Sequence, residues 1–148
     1  NELLDSGFTC TGAVECAEKV RLASQNGADI IKITATGGVL SQQGRGLEAH
    51  FTDPEMKSIA DTAHSLGLKV MAHAHGARGI EAASRAGIDS IEHGTYLDEA
   101  AARAALAASV RCTVWPRITS AMRNASCAAS MPASRSAAVP RILANTSI

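Results

Sequence analysis

The sequence has no excess of charge of either sign: 14 lysines and arginines balance 14 aspartates and glutamates over 148 residues. No global field is available to draw nucleic acid, anionic lipid or an acidic substrate, so no nucleic-acid partner is expected. Long apolar runs are missing too. Charged or polar residues interrupt each run well before the roughly 20 positions a membrane span needs, and residues 1–16 lack a basic leader region. No membrane association is expected, and the cytoplasm is the default compartment. The four cysteines, Cys10, Cys16, Cys112 and Cys127, show neither CxxC spacing nor the density of a disulfide-rich miniprotein, which points to free thiols.

What is present is a repeating pattern. Val14, Ala17, Val20 and Ala23 recur at three-residue steps before Asn26-Gly27, which predicts a helix over 13–25. The β-branched run 28–35 follows and ends at Gly37-Gly38, as a buried strand feeding a loop would. Thr52-Asp53-Pro54-Glu55 has the form of a capping box and predicts a helix from Asp53, with Met56, Ile59, Ala60 and Ala63 on its buried face. The pattern then repeats: strand 68–73, helix 77–86 stopped by Gly87, strand 88–93, helix 98–108 capped by Asp98, and strand 110–114. Parallel neighbours need a crossover that a helix supplies, so the class is α/β. Residues 1–116 form the organised part. From about Arg117 the chain is rich in Ser, Ala, Arg, Met and Pro without helical or strand periodicity. Residues 117–148 are therefore expected to be an irregular or disordered tail, or the product of a reading-frame error.

Alternation along the first strand places Ile30, Lys32 and Thr34 on one face. A lysine among isoleucines is costly unless it is paired, for instance with Glu92, or neutralised or chemically changed. The second strand ends in His73-Ala74-His75-Gly76, with both histidines on the face of Met71. The third ends in Glu92-His93-Gly94, with His93 on the face of Ile91. In βα architectures the C-terminal strand ends carry the functional loops, so three successive strands deliver Lys32, His73 and His93 to one neighbourhood. Neutral imidazole ligates zinc and similar cations. A deprotonated lysine can add carbon dioxide to become a carbamate, an anionic oxygen ligand.

Three segments carry a resemblance to a known family: Gly27 to Ile33 with Thr36 to Ser41, Val70 to Gly76, and Ser90 to Gly94. Over about residues 14–108 the chain resembles the amidohydrolase superfamily, in its imidazolonepropionase-like and prolidase-like branch. The resemblance implies a partial (β/α)8 TIM-type barrel of about four βα units, strands four to seven. It implies Lys32 as a carboxylated ligand bridging two divalent ions, zinc by default, and His73 and His93 as metal ligands. His75 would meet substrate or order the groups around the metal ligands; Tyr96, just beyond the third strand, is a candidate substrate contact, as are Gln42, Arg45 and His50 on the loop that rims the site. The family's HxH on strand one and aspartate after strand eight have no counterpart here, so no catalytic aspartate is assigned. A whole barrel takes about 250 residues. With Asn1 in place of an initiating Met, an internal fragment is expected, inactive alone, of a parent hydrolysing amide bonds of dipeptides or cyclic amides through a metal-activated water. Implied partners are a small-molecule or dipeptide substrate and, in the intact parent, further copies of the same chain. Two rivals remain: a non-catalytic α/β fragment with exposed strand edges, and a barrel lyase using Lys32 as a Schiff-base nucleophile. The second leaves His73 and His93 unexplained.

Overall fold

The computed structural model describes residues 8–37, 46–114 and 142–146. In chain order its elements are α1 (Ala13–Gln25), β1 (Ile30–Thr34), α2 (Asp53–Ser65), β2 (Lys69–Gly76), α3 (Ala77–Ala86), β3 (Ser90–Tyr96), α4 (Glu99–Ala107), β4 (Arg111–Val114) and β5 (Ile142–Thr146). The sheet is parallel, with order β4-β3-β2-β1-β5. From β1 to β4 consecutive strands are neighbours joined by helices, as in part of a TIM-type barrel.

Local chemistry sets the boundaries. At the start of α2, Glu55 Oε2 accepts from the Thr52 amide at 2.7 Å and from the Thr52 hydroxyl at 2.8 Å. Glu55 Oε1 accepts from the Gly12 amide at 2.6 Å, which ties the start of α1 to α2. These bonds, that from the Thr52 amide foremost, hold the Glu55 carboxyl below its ordinary pKa, because they favour the anion. Helix α3 ends at Gly87, whose φ of 91° gives the left-handed turn that glycine adopts without steric cost. Helix α4 is capped by Asp98, whose carboxylate accepts from the Ala101 amide at 2.8 Å.

Core formation is one-sided. Ile31 and Ile33 of β1, Val70, Ala72 and Ala74 of β2, and Ile91 of β3 join Val20, Met56, Ile59, Ile80, Ala83 and Ala101 of the helices in one buried cluster. Ile30, Lys32 and Thr34, with Met71, His73 and Glu92, point the other way and are only half-buried. That second face is the inner wall of a partial barrel, and it carries Lys32 and His73.

Three expectations change. Val14 is exposed, and Cys16 takes its place on the buried face of α1. Steps of three residues drift around a helix of 3.6 residues per turn, so the buried stripe runs Cys16, Ala17, Val20, Ala23. Cys10 and Cys16 are disulfide-bonded rather than free; the first turn of α1 folds Cys16 back beside Cys10, with Cα atoms 5.0 Å apart. Cys112 is not disulfide-bonded, and Cys127 lies outside the described residues. Part of the expected irregular tail is a strand, since β5 pairs in parallel with β1. An open sheet edge offers a row of unpaired donors and acceptors, and Ile142-Leu143 is a strand-prone pair able to use it. The rest of residues 117–148 lies outside the described residues.

Candidate metal centre

At the C-terminal ends of β2 and β3 three imidazoles meet. The ring centroids of His73 and His75 are 4.7 Å apart, those of His73 and His93 4.7 Å, and those of His75 and His93 4.9 Å, the last pair stacked with planes 16° apart. One ring nitrogen from each histidine lies within 4.8 Å of the others. Lys32 is on the same wall: it stands opposite Met71, two residues before Thr34, which stands opposite His73.

His93 does not occupy the face that alternation gives it. In register it stands beside Ala74, a core residue, just as Ile91 stands beside Ala72. Its backbone, however, takes φ of 80°, in the left-handed region. This breaks the alternation and brings the ring round to His73 and His75 instead of toward the helices. A non-glycine residue in that conformation is strained, and such strain gathers at functional sites. Gly94 follows with φ of 58°, which continues the turn.

Electrostatics favours the neutral forms of His73, His75 and Lys32. Burial lowers the His73 pKa to about 4, helped by the repulsion that a charged His73 would feel from His75, His93 and Lys32; a hydrogen bond with the Gly37 backbone opposes the shift only in part. Burial, then His93, lowers that of His75. Burial also lowers the Lys32 pKa, and the nearby Glu92 carboxylate only partly offsets it. Neutral imidazoles are the form that binds a metal, and a lysine pushed toward the free amine is the form that can react with carbon dioxide. The residues therefore fit a divalent metal ion.

Polar groups that the strand pattern does not reveal hold His75. His75 is 7% exposed. Its backbone amide donates to Thr36 Oγ1 at 2.9 Å, and Thr36 Oγ1 donates to the Gly37 carbonyl at 3.1 Å. His75 Nδ1 lies 2.7 Å from Thr95 Oγ1. Tyr96, the last residue of β3, is exposed, and His50 donates its backbone amide to the Ala35 carbonyl at 2.9 Å. Gln42 and Arg45 lie outside the described residues.

A partial α/β barrel with an imidazole cluster at its strand ends is the architecture of barrel metallohydrolases. The chain belongs to the amidohydrolase family, whose sequence profile matches residues 3–146. It is 42% identical to the ochratoxinase of Aspergillus niger over 88 residues, 60% of this chain and 18% of that protein. Its fold matches the crystal structure of a Xaa-Pro dipeptidase with methionine in the active site (TM-score 0.66, 41% identity, 70% of this chain and 25% of the other). A prolidase complexed with N-methylphosphonate-L-proline is similar (TM-score 0.64, 36% identity, 69% and 25%). The chain thus spans a quarter or less of these relatives.

Proposed function

We propose that the chain supplies the metal-holding wall of a hydrolase that cleaves amide bonds in small substrates, dipeptides or N-acyl amino acids among them. The single observation that carries this reading is the cluster of His73, His75 and His93 at the C-terminal strand ends beside Lys32. In this proposal His73 and His93 are metal ligands and Lys32, as its carbamate, is an oxygen ligand able to bridge a second ion. Zinc is the cation that such a nitrogen and oxygen donor set suits. When bound, the metal would polarise the scissile carbonyl and acidify a water molecule.

The chain's own residues do the rest. The burial that disfavours ammonium at Lys32 frees the amine lone pair to attack carbon dioxide, and the proton leaves to solvent. His73, with its pKa near 4, stays a neutral donor throughout the physiological range. In this proposal Tyr96, exposed at the end of β3, meets substrate. The relatives point to dipeptides ending in proline and to the ochratoxinase type of substrate. The test is hydrolysis of Xaa-Pro dipeptides and N-acyl amino acids by the barrel completed from its flanking coding sequence, in bicarbonate buffer. Activity in wild type that disappears in Lys32→Ala supports the proposal. Undiminished activity in Lys32→Ala would show that this lysine is structural.

A further inference from the structure

We infer that Glu55 is a positioning residue: its carboxylate ties the segment lying against His75 and Gly76 to a fixed turn at the start of α1. The inference rests on the proposed function in taking the C-terminal ends of the strands as the reactive end. Glu55 receives two distant parts of the chain at once. Its Oε1 accepts from the Gly12 amide, 43 residues away, at 2.6 Å, while Oε2 accepts from the Thr52 amide at 2.7 Å and from the Thr52 hydroxyl at 2.8 Å. Capping α2 requires only the bonds to Thr52. The bond to Gly12 joins one loop to another. Both loops lie at the reactive end, because in βα units the helices run antiparallel to the strands and start where the strands stop.

The two sides of this link differ. On the Gly12 side the turn is closed by the Cys10–Cys16 disulfide, the Thr11 amide donates to Glu15 Oε2 at 2.9 Å, and Ser58 Oγ donates to the Ala13 carbonyl at 2.6 Å. That side is the fixed point. On the Thr52 side runs the segment 46–52, which has no helix or strand of its own. It meets the site at three places. Ala49 bridges Thr36, whose hydroxyl accepts from the His75 amide at 2.9 Å, and the His50 amide donates to the Ala35 carbonyl at 2.9 Å. The Leu47 carbonyl stands so close over Gly76 that a Cβ there would lie 2.0 Å from its oxygen. Only a carboxylate accepts at both of its ends, and bonds to the charged group are stronger than neutral ones, so Glu55 can fasten the irregular segment to the closed turn.

Glu55→Gln separates the tie from the cap. Glutamine keeps the length and suits a capping box, but it has one acceptor oxygen and one NH2 donor, so it cannot receive both Gly12 and Thr52. Amide hydrogen exchange by NMR compares the wild-type chain with Glu55→Gln and with Ser58→Ala, a control that removes another bond between the same two helix starts. In Glu55→Gln the Gly12 amide should exchange at least about tenfold faster, the His50 amide should follow, and the His75 and Gly76 amide resonances should move. Ser58→Ala should leave those two resonances in place. Changes confined to Gly12 and Thr52, or equal movement in Ser58→Ala, would overturn the inference. In the completed barrel Glu55→Gln should raise KM for a Xaa-Pro dipeptide more than it lowers kcat, and an unaltered KM would overturn the positioning role. No hydrolysis by the wild-type barrel would instead contradict the proposed function, with the amide exchange still deciding the role of Glu55.

Discussion

Gly79 is the third residue of α3, where replacing glycine by alanine ordinarily stabilises a helix by about 0.5–1 kcal/mol. Here the opposite is expected. A Cβ at Gly79 would lie 2.2 Å from Thr36 Cγ2, with the other near atoms, Ala35 O and Thr36 Cβ, at 3.6 and 3.7 Å. Thr36 is fully buried, and its hydroxyl is engaged at once with the His75 amide and the Gly37 carbonyl, so it cannot rotate its methyl away without losing those bonds. Overpacking of this kind costs about 1–3 kcal/mol, and a lost buried hydrogen bond about 1 kcal/mol more. Less the gain in helix propensity, Gly79→Ala should destabilise by roughly 1–3 kcal/mol. The decisive arm is the background Thr36→Ser, which deletes Cγ2 and keeps the hydroxyl. There the same Gly79→Ala change should stabilise by about 0.5–1 kcal/mol, so a double-mutant cycle in urea should show coupling of about 2 kcal/mol or more. Gly79→Ala without cost in the parent, or a double variant as unstable as Gly79→Ala, would refute the close packing of α3 on the end of β1.

Further outcomes follow from other parts of the molecule. Gly76→Ala should be at least as damaging as Gly79→Ala, because its Cβ would lie 2.0 Å from the Leu47 backbone oxygen, which no side-chain rotation relieves; thermal unfolding checks it. Asp89 accepts from Lys69 Nζ at 2.7 Å and from the Val70 amide at 2.9 Å, and it contacts His64 Nε2 at 2.8 Å. Burial pushes its pKa up, but these bonds together outweigh burial and leave it below the ordinary 3.8. A carboxyl with a depressed folded pKa contributes stability that is full above the unfolded value and is lost as pH falls through the folded one. Urea midpoints should therefore drop below about pH 4, and less so in Asp89→Asn. Breaking the Cys10–Cys16 disulfide, which spans six residues, by Cys10→Ala should cost about 2 kcal/mol on the loop-closure estimate, read as a lower urea midpoint under non-reducing conditions. Ser109 has φ of 56°, so Ser109→Gly should stabilise by up to about 1 kcal/mol.

Most of the fold was legible because its signals are local. Thr52 and Glu55 announce α2, Gly87 and Asp98 bound α3 and α4, and the apolar strands stand out between them. What escaped was set by geometry that has no local period. Alternation put His93 with Ile91, and only a positive φ, invisible in a residue that is not glycine, brings it to His73 and His75. Thr36 and His75 are 39 positions apart, and Thr95 meets His75 across 20, so neither orienting hydroxyl could be found by spacing. Likewise β5 rests on a pairing with β1 more than a hundred residues back along the chain, which no window of sequence reveals.

The reading as a whole stands on the histidine cluster being a metal centre. Metal analysis by plasma mass spectrometry, after equilibration with zinc and exhaustive dialysis, compares the wild-type chain with the double variant His73→Ala/His93→Ala. Zinc retained by the wild type and absent from the folded double variant is the expected result. Equal zinc in both, or none in the wild type, would mean that these rings are packed together for structure alone.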